Sequence, residues 1–202
     1  MPVLGVTGGI ATGKTSLTAA VRRALPAKVF DADLRARELL DSDAAVQNEI
    51  RTRFGRAVFG PDGRPDRDAL RSLVFEDAEN RRALEAILHP RIRAGWLAMR
   101  EEILAAREPG WLIVDIPLLY ETAAEGYFDR IVVAACSERT QLGRIAAKRG
   151  LSNEIALKII KAQTPLNEKI RRADHVVWNE SCPAHMEEQA AALAGSLKAR
   201  YG

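Results

Sequence analysis

The sequence contains few of the residues that mark secreted, metal-binding or membrane-spanning proteins. Its 202 residues include two cysteines, Cys136 and Cys182, and no cluster of metal ligands surrounds either one. Disulfide frameworks belong to oxidising compartments, and the first residues do not resemble a signal peptide, so we expect a reducing, cytoplasmic setting. No apolar run approaches the roughly 18 residues that a membrane-spanning helix needs, and we expect no insertion into membranes.

Aromatic residues are also scarce, at 5% of the chain, and the formal net charge is only +3. The charge is unevenly distributed, because residues 138–173 hold nine basic and three acidic side chains and no aromatic one. Proteins that bind single-stranded nucleic acids stack the bases on aromatic rings, so we expect no nucleic-acid partner. The basic segment indicates either a solvated helix face or a positively charged element that acts on phosphate groups.

One segment carries a specific chemical signal. Residues 8–15 match the phosphate-loop pattern G-x-x-x-x-G-K-[ST] at every specified position, directly after an apolar run at residues 3–6. The residues of this loop are Gly8, Gly9, Ile10, Ala11, Thr12, Gly13, Lys14 and Thr15. Closely spaced glycines let backbone N–H groups turn toward phosphates at the positive end of the next helix. We expect a nucleoside triphosphate, ATP, to bind here, with Lys14 on the β- and γ-phosphates and the Thr15 hydroxyl on Mg²⁺.

The distribution of apolar runs predicts an α/β protein. Strand-like runs alternate with helical patterns, which is typical of a parallel sheet covered by helices on both faces. The runs lie at residues 3–6, 29–30, 111–116, 131–135 and 176–178. Together with the phosphate loop they predict a P-loop kinase fold with a parallel five-stranded sheet flanked by helices, and the length suits a single domain over residues 1–202.

Two stretches of helical pattern interrupt this alternation. Residues 32–107 contain consecutive helix-length patterns without a strand, which predicts a helical insertion. Within the insertion, His89-Pro90 is expected to end one helix and to open the next. Residues 138–172 form a second helical excursion, which we expect to be broken at Gly150 and again at Thr164-Pro165, where Thr164 can cap the next helix and Pro165 can occupy its first position.

A phosphate loop occurs in switches, motors and small-molecule kinases, so other features must separate these classes. The sequence has neither an N-K-x-D motif for reading guanine nor a second triphosphate loop. These absences favour a compact kinase that transfers the γ-phosphoryl group of its nucleotide.

Ligands of parallel sheets bind at the carboxyl ends of the strands, where two acidic residues stand, and the basic segment supplies a third candidate. Asp33 comes after the second strand and is a candidate general base, although an Asp at the start of a helix also serves as an N-cap. Asp115 closes the third strand and would either orient Mg²⁺ or cap a turn. Arg144 is the leading candidate for a lid arginine that stabilises the transferring phosphoryl group.

Taken together, the residues resemble the dephospho-CoA kinase family over nearly the whole chain. The matching segments include Gly5-Val6-Thr7-Gly8-Gly9-Ile10, Asp31-Ala32-Asp33, Leu88-His89-Pro90, Pro117-Leu118-Leu119-Tyr120-Glu121, Gln163, Lys169 and Asn179. The resemblance implies ATP-dependent phosphorylation of the ribose 3'-hydroxyl of dephospho-CoA, with Asp33 as the base. It also implies that residues 32–107 hold the CoA-type substrate and that residues 138–172 contain the lid. The substrate-binding residues it implies are Asp33, His89, Leu118 and Tyr120, and it places Asn179 near the adenine of ATP.

Each of these assignments has a structural alternative, and the kinase function has two rivals. His89 would otherwise end a helix, Leu118 and Tyr120 would pack against the end of the sheet, and Asn179 would form a turn. A kinase of the same fold that acts on a nucleoside monophosphate or another metabolite alcohol would keep the loop and the lid. A non-catalytic nucleotide sensor would use Asp33 only as a helix cap.

Three positions depart from the usual family pattern. Ala11 stands where the family loop has glycine, and a positive φ at this residue would cost about 1 kcal/mol. Lys148-Arg149 stands for Arg-Asp, which replaces a rigid guanidinium fork by a single ammonium. Ser181 lies two places after Asn179, where the family often has glycine, so the loop expected near adenine differs.

Overall fold

The computed structural model describes residues 1–107 and 110–201, apart from the side chains of Phe75 and Glu76. The chain divides into two units. Met1–Asp31 and Ile103–Gly202 form the first, here termed the sheet unit, and Ala32–Glu102 forms the second, the helical unit. None of the helices in the described part of the chain is long and apolar enough to cross a membrane.

The sheet unit is built on five parallel strands in the spatial order β2-β3-β1-β4-β5. The strands are β1 (Val3–Gly8), β2 (Ala27–Asp31), β3 (Trp111–Asp115), β4 (Arg130–Ala135) and β5 (His175–Trp178). Every residue of β1 and β3 is buried, as parallel strands require when both of their faces are covered. Each strand contains its predicted apolar run, except that β3 ends before Ile116. The predicted parallel five-stranded sheet is therefore confirmed.

Helices occupy most of the remaining described chain. Those of the sheet unit are α1 (Lys14–Ala24), α6 (Glu138–Arg149), α7 (Asn153–Lys161), α8 (Leu166–Arg172) and α9 (Pro183–Tyr201). Those that begin in the helical unit are α2 (Ala32–Ser42), α3 (Ala44–Phe54), α4 (Arg67–Glu76) and α5 (Ala78–Ala105).

Two apolar clusters cover the two faces of the sheet, because successive side chains of a strand point to opposite faces. The first cluster joins the sheet to α1 and α9, and its members include Leu17, Val21, Val132, Ala134, Leu193 and Leu197. The members of the second include Leu119, Ile131, Val133 and Ala135, and the partly buried Leu166 and Ile170 of α8 pack against it. This packing fixes α1 and α8 against the sheet, and both helices carry residues that contact the phosphate loop.

The long helix α5 overturns one prediction. Pro90 lies inside it, so the expected break at His89-Pro90 is wrong. A proline cannot donate to the carbonyl one turn before it, and this loss usually ends a helix. The carbonyl that loses its donor belongs to Ala86, and the guanidinium of Arg91 donates to the next carbonyl along, that of Ile87, at 2.7 Å. Arg91 also pairs with Glu49 of α3, which holds its side chain in place.

The breaks predicted between residues 138 and 172 occur at the expected positions. Gly150 caps the end of α6 in the left-handed region, with φ of 63°. The hydroxyl of Ser152 then accepts from the amide of Ile155 and caps the start of α7. Pro165 is the N-cap residue of α8 and Leu166 is its first helical residue, so the helix begins one residue later than expected.

Replacing Pro90 by alanine restores a backbone donor inside α5. We therefore expect Pro90→Ala to raise the free energy of unfolding, by up to about 3 kcal/mol. Pro183→Ala is the matched control, because Pro183 opens α9, where a proline costs little. Urea denaturation followed by circular dichroism measures both variants. A loss of stability in Pro90→Ala, or an equal gain in the control, contradicts this account of the helix.

Candidate active site

The predicted phosphate loop connects the carboxyl end of β1 to the first turn of α1. Its last glycine, Gly13, is the N-cap residue of α1 and has a φ of 95°, which residues with a Cβ atom avoid. A Cβ atom at Gly13 would also overlap Nδ2 of Asn179, the residue that follows β5. The position therefore requires glycine for two separate reasons, the backbone angle and the neighbouring amide side chain.

Each carbonyl group from Gly8 to Thr12 accepts a hydrogen bond. The Gly9 carbonyl accepts from the amide and the hydroxyl of Thr12, at 3.3 and 2.9 Å. Side chains from outside the loop donate to the other four, namely Lys169 to Gly8 (3.4 Å), Gln141 to Ile10 (2.7 Å), Arg144 to Ala11 (3.3 Å), and Asn179 and Arg144 to Thr12 (2.8 and 3.4 Å). Each of these five carbonyl groups therefore has at least one hydrogen-bond donor within the protein.

By contrast, the amide groups at the end of the loop lack hydrogen-bond acceptors among the described residues. Among residues 1–107 and 110–201, no group accepts a hydrogen bond from the backbone N–H of Gly13, Lys14 or Thr15. The first N–H groups of a helix lack intrahelical partners and carry the positive end of its dipole. Such a set of donors forms a binding site for phosphate.

Lys14 and Asp115 lie together beside this set of amides. The Lys14 ammonium pairs with Oδ1 of Asp115, and Oδ2 accepts from the hydroxyl of Thr18 at 2.8 Å. Asp115 is the last residue of β3 and is only 3% exposed. The parallel pairing of β1 with β3 puts Asp115 opposite Val6, which brings its carboxylate to the start of the loop. Two predicted site residues therefore form one ion pair, in which the carboxylate is buried and the ammonium is partly exposed.

Arg144 of α6 lies against the outer side of the loop. Besides its bonds to the loop carbonyls, its guanidinium donates to the carbonyl oxygen of Asn179 at 3.0 Å. The side-chain amide of Asn179 donates to Thr12, so Arg144 and Asn179 brace the same turn. A role for Arg144 in phosphoryl transfer and contact of Asn179 with adenine stay predictions.

Glu180 holds the beginning of α6 next to these two residues. Its carboxylate accepts from the Ser137 amide at 2.7 Å and from the hydroxyls of Ser137 and Thr140 at 2.6 Å each. These hydrogen bonds, led by that of the Ser137 hydroxyl, lower the pKa of Glu180 to about 2. The carboxylate is therefore charged at neutral pH, and it ties the residue after Asn179 to α6.

The loop contains one residue with an unfavourable backbone angle. Ala11 has a φ of 59°, in the left-handed region. The φ of Ala11 is therefore positive, and its methyl group costs about 1 kcal/mol relative to glycine.

Tyr120 and Leu118 follow β3 on the turn that leaves the sheet. Tyr120 is buried in the second apolar cluster, as the packing alternative expects, whereas Leu118 is half-exposed. Burial raises the pKa of Tyr120 to about 12, although Arg172, whose guanidinium lies 4.4 Å from the ring centre, opposes this shift. Contact of either residue with substrate stays a prediction.

Asp33 and His89 belong to the helical unit. Asp33 lies in the first turn of α2, which begins one residue earlier, and its role as general base stays a prediction. It follows Asp31, the last residue of β2, by two positions along the chain. His89 lies inside α5 and is half-buried, which excludes a helix-ending role. Burial lowers its pKa, Glu85 opposes this shift, and Arg93 adds to it.

Four polar residues contact the loop or Asp115 without having been predicted as site residues. Gln141, Gln163 and Lys169 bond to backbone groups of the loop, and Thr18 donates to Asp115. Gln163 and Lys169 match the family pattern, but nothing in the sequence indicates which atoms they contact. One signal was available for Lys169. It lies three residues after Leu166 and four before Ala173, on the apolar side of α8, where an unsolvated lysine requires acceptors.

The residues at the loop also suit Mg²⁺, an ion that prefers oxygen ligands and commonly binds one or two protein groups together with substrate phosphates. Thr15 is exposed at the start of α1, and Asp115 provides a carboxylate at the end of β3. Because both Asp115 oxygens already accept from Lys14 and Thr18, direct coordination by Asp115 requires exchange of one of these partners. Within the described residues, no group of three or more His, Cys, Asp or Glu side chains forms a metal site.

The strand order, the loop between β1 and α1 and the ion pair behind it define a P-loop phosphotransferase. A family model described as dephospho-CoA kinase matches residues 2–184. The dephospho-CoA kinase of Anaeromyxobacter dehalogenans is 42% identical over 100% of this chain and 95% of its own length. That of Xanthomonas euvesicatoria pv. vesicatoria is 40% identical over 95% of this chain and 93% of its own length. The chain belongs to the dephospho-CoA kinase family.

Solved structures give the same result for the fold. TT1252 from Thermus thermophilus is similar with a TM-score of 0.80 and 34% identity, covering 100% of this chain and 98% of its own. The dephospho-CoA kinase from Campylobacter jejuni has a TM-score of 0.70 and 26% identity, covering 99% and 98%. A shikimate kinase from Bacteroides thetaiotaomicron shares the fold alone, with a TM-score of 0.50, 14% identity and coverage of 98% of each chain. The predicted P-loop kinase fold is confirmed.

The left-handed angle of Ala11 generates a prediction about stability. We expect Ala11→Gly to raise the free energy of unfolding by up to about 1 kcal/mol, because glycine adopts this angle without the methyl clash. Ala19→Gly, at an exposed helical position of α1, is the control and should lose about 1 kcal/mol. Both values come from urea denaturation. If Ala11→Gly destabilises the protein as much as Ala19→Gly, the backbone strain assigned to Ala11 is wrong.

Proposed function

We propose that the chain is an ATP-dependent kinase that phosphorylates the ribose 3'-hydroxyl of dephospho-CoA, giving coenzyme A and ADP, the final step of coenzyme A biosynthesis. The match of residues 2–184 to the dephospho-CoA kinase family carries the identity of the acceptor. The free loop amides, next to the Lys14–Asp115 pair, support polyphosphate binding at the end of β1.

Binding of ATP requires Lys14 to change its partner. Its ammonium pairs with the buried carboxylate of Asp115, so contact with the β- and γ-phosphates exchanges one anionic partner for another. Asp115 then keeps the hydroxyl of Thr18 and is available to orient Mg²⁺ through water. Mg²⁺, held by the Thr15 hydroxyl, would neutralise part of the charge on the phosphate oxygens.

Asp33 serves as the general base in this proposal. Its carboxylate takes the proton of the 3'-hydroxyl while the oxygen forms a bond to the γ-phosphorus. The bond between the γ-phosphorus and the bridging oxygen breaks at the same time, and ADP leaves with the electron pair. The support for Asp33 is the resemblance to the family together with its place in the chain, two residues after Asp31, which ends β2 and is paired in register with Asp115.

The remaining predicted residues take supporting roles. Residues 32–107 would bind the CoA-type substrate, with His89, Leu118 and Tyr120 among the contacts, and Asn179 would lie near adenine. Residues 138–172 would contain the lid, whose exposed cations include Lys148, Arg149, Lys158 and Lys161. Arg144 is the arginine that we place closest to the nucleotide. A cytoplasmic setting agrees with Cys136 and Cys182, both of which are free thiols.

Comparison of phosphoryl acceptors tests the proposed function. ADP formation is measured with ATP and one acceptor at a time from dephospho-CoA, AMP, pantothenate and adenosine. We expect kcat/KM for dephospho-CoA to exceed that for the others by at least about a hundredfold, because the acceptor's remote groups provide binding energy. Equal rates with AMP and dephospho-CoA would indicate a nucleoside monophosphate kinase, and ATP binding without any transfer would indicate a sensor.

Substitution of the proposed base gives a second test. Asp33→Asn keeps the size of the side chain but removes the proton acceptor, so we expect kcat to fall at least about a hundredfold with ATP affinity nearly unchanged. Asp41→Asn is the control, since Asp41 lies at the other end of α2 and pairs with Arg67 on the surface. Steady-state kinetics and calorimetric ATP titration provide the two quantities. Near-normal turnover in Asp33→Asn eliminates the base assignment.

A further inference from the structure

Lys169 of α8 is a fully buried lysine, with 0% of its side chain exposed. Its ammonium lies 2.8 Å from Oε1 of Glu121, 3.2 Å from the carbonyl oxygen of Pro117 and 3.4 Å from that of Gly8. A lysine ammonium has three N–H donors, and these contacts supply three acceptors. Burial of a charge is costly unless it is paired and hydrogen-bonded, so the site is built around this ammonium.

The two carbonyl groups belong to the segments that carry the proposed catalytic machinery. Gly8 ends β1 and begins the phosphate loop, and Pro117 follows Asp115 by two residues on the segment after β3. The hydroxyl of Thr7 on β1 donates to the same Pro117 carbonyl at 3.1 Å. Lys169 therefore joins the segment that bears the loop amides to the segment that bears the partner of Lys14.

Glu121 extends this connection to the chain between α7 and α8. The same Oε1 atom that meets Lys169 accepts from the backbone amide of Thr164 at 2.9 Å. The neighbouring Gln163 accepts from the Ile10 amide at 2.9 Å through its own Oε1. Two adjacent residues before α8 are thus fixed, one through Glu121 and one directly on the loop.

We propose that Lys169 is a positioning residue for ATP binding. Its ammonium holds the carbonyls of Gly8 and Pro117 at a fixed separation, and this sets the spacing between the loop amides and the Lys14–Asp115 pair. Glu121 balances the charge and makes burial of the ammonium tolerable. The inference rests on the proposed function, because it assigns Lys169 to the ATP site of that kinase.

A purely structural role for Lys169 would be to neutralise Glu121. The double variant Lys169→Met/Glu121→Gln separates the two roles, because it removes both charges while glutamine keeps an oxygen for the Thr164 amide. We expect each single variant to lower the melting temperature and the double variant to recover most of that loss. Despite this recovery, the double variant should bind ATP at least about tenfold more weakly than the wild type, since Gly8 and Pro117 lose their charged donor.

Arg172→Met is the matched control on α8. Arg172 pairs with Glu125 and Glu168, so the variant removes one charge from the same helix without removing a donor to the loop. Its ATP dissociation constant should stay within about twofold of the wild-type value. Calorimetric titration with ATP measures all variants, and hydrogen exchange at the Ile10 amide reports on the loop. Exchange at this amide should accelerate in the double variant and stay unchanged in Arg172→Met.

Wild-type affinity for ATP in the double variant, or an equal loss in Arg172→Met, overturns the positioning role. Unchanged exchange at Ile10 in the double variant does the same. The proposed function fails separately, if the wild type binds ATP but does not phosphorylate dephospho-CoA, and in that case the comparison of ATP affinities still decides the role of Lys169. A wild type that does not bind ATP overturns both.

Discussion

A loop that turns its amide groups toward a phosphate must turn its carbonyl groups the other way, and those carbonyls need donors. This requirement organises the sheet unit, because an unsatisfied buried carbonyl costs about as much as a lost hydrogen bond. The donors come from α6, from α8 and from the residue after β5, and they reach the loop only because the parallel sheet ends all its strands at one edge. The shape of the loop thus depends on side chains that come from outside it and donate to its carbonyl groups.

The lysines at the loop also have partners from other elements of the fold. Two lysines flank the loop, one at the start of α1 and one on α8, and each has a carboxylate partner, Asp115 and Glu121. The Lys14 side chain is 14% exposed, as the exchange of partners that we propose for it requires, whereas the Lys169 side chain has no exposed surface. This difference in burial agrees with a binding role proposed for the first lysine and a positioning role proposed for the second.

Much of this arrangement was predictable from the sequence, because the signals were local. The phosphate-loop pattern, five apolar runs and the breaks at Gly150 and Pro165 depend on neighbouring residues only. The uninterrupted α5 was not predictable, since Pro90 locally favours a helix end, whereas the burial of Leu88, Ile92 and Trp96 in the same helix is set by the rest of the fold. The roles of Gln141, Gln163 and Lys169 were hidden for a similar reason. Each bonds to backbone groups of Gly8 or Ile10, which have the same atoms in every sequence.

The distance along the chain between the loop and its donors has a consequence for biosynthesis. The bonds from Gln141, Lys169 and Asn179 span 131, 161 and 167 residues. Contacts of such separation form late, because the loop-closure entropy must be overcome before they contribute. The phosphate-loop motif precedes these donors along the chain, so its carbonyl groups all have their partners only after β5 and Asn179 have been synthesised. A nascent or truncated chain that stops before Asn179 therefore contains the complete motif but lacks the amide side chain that donates to the Thr12 carbonyl.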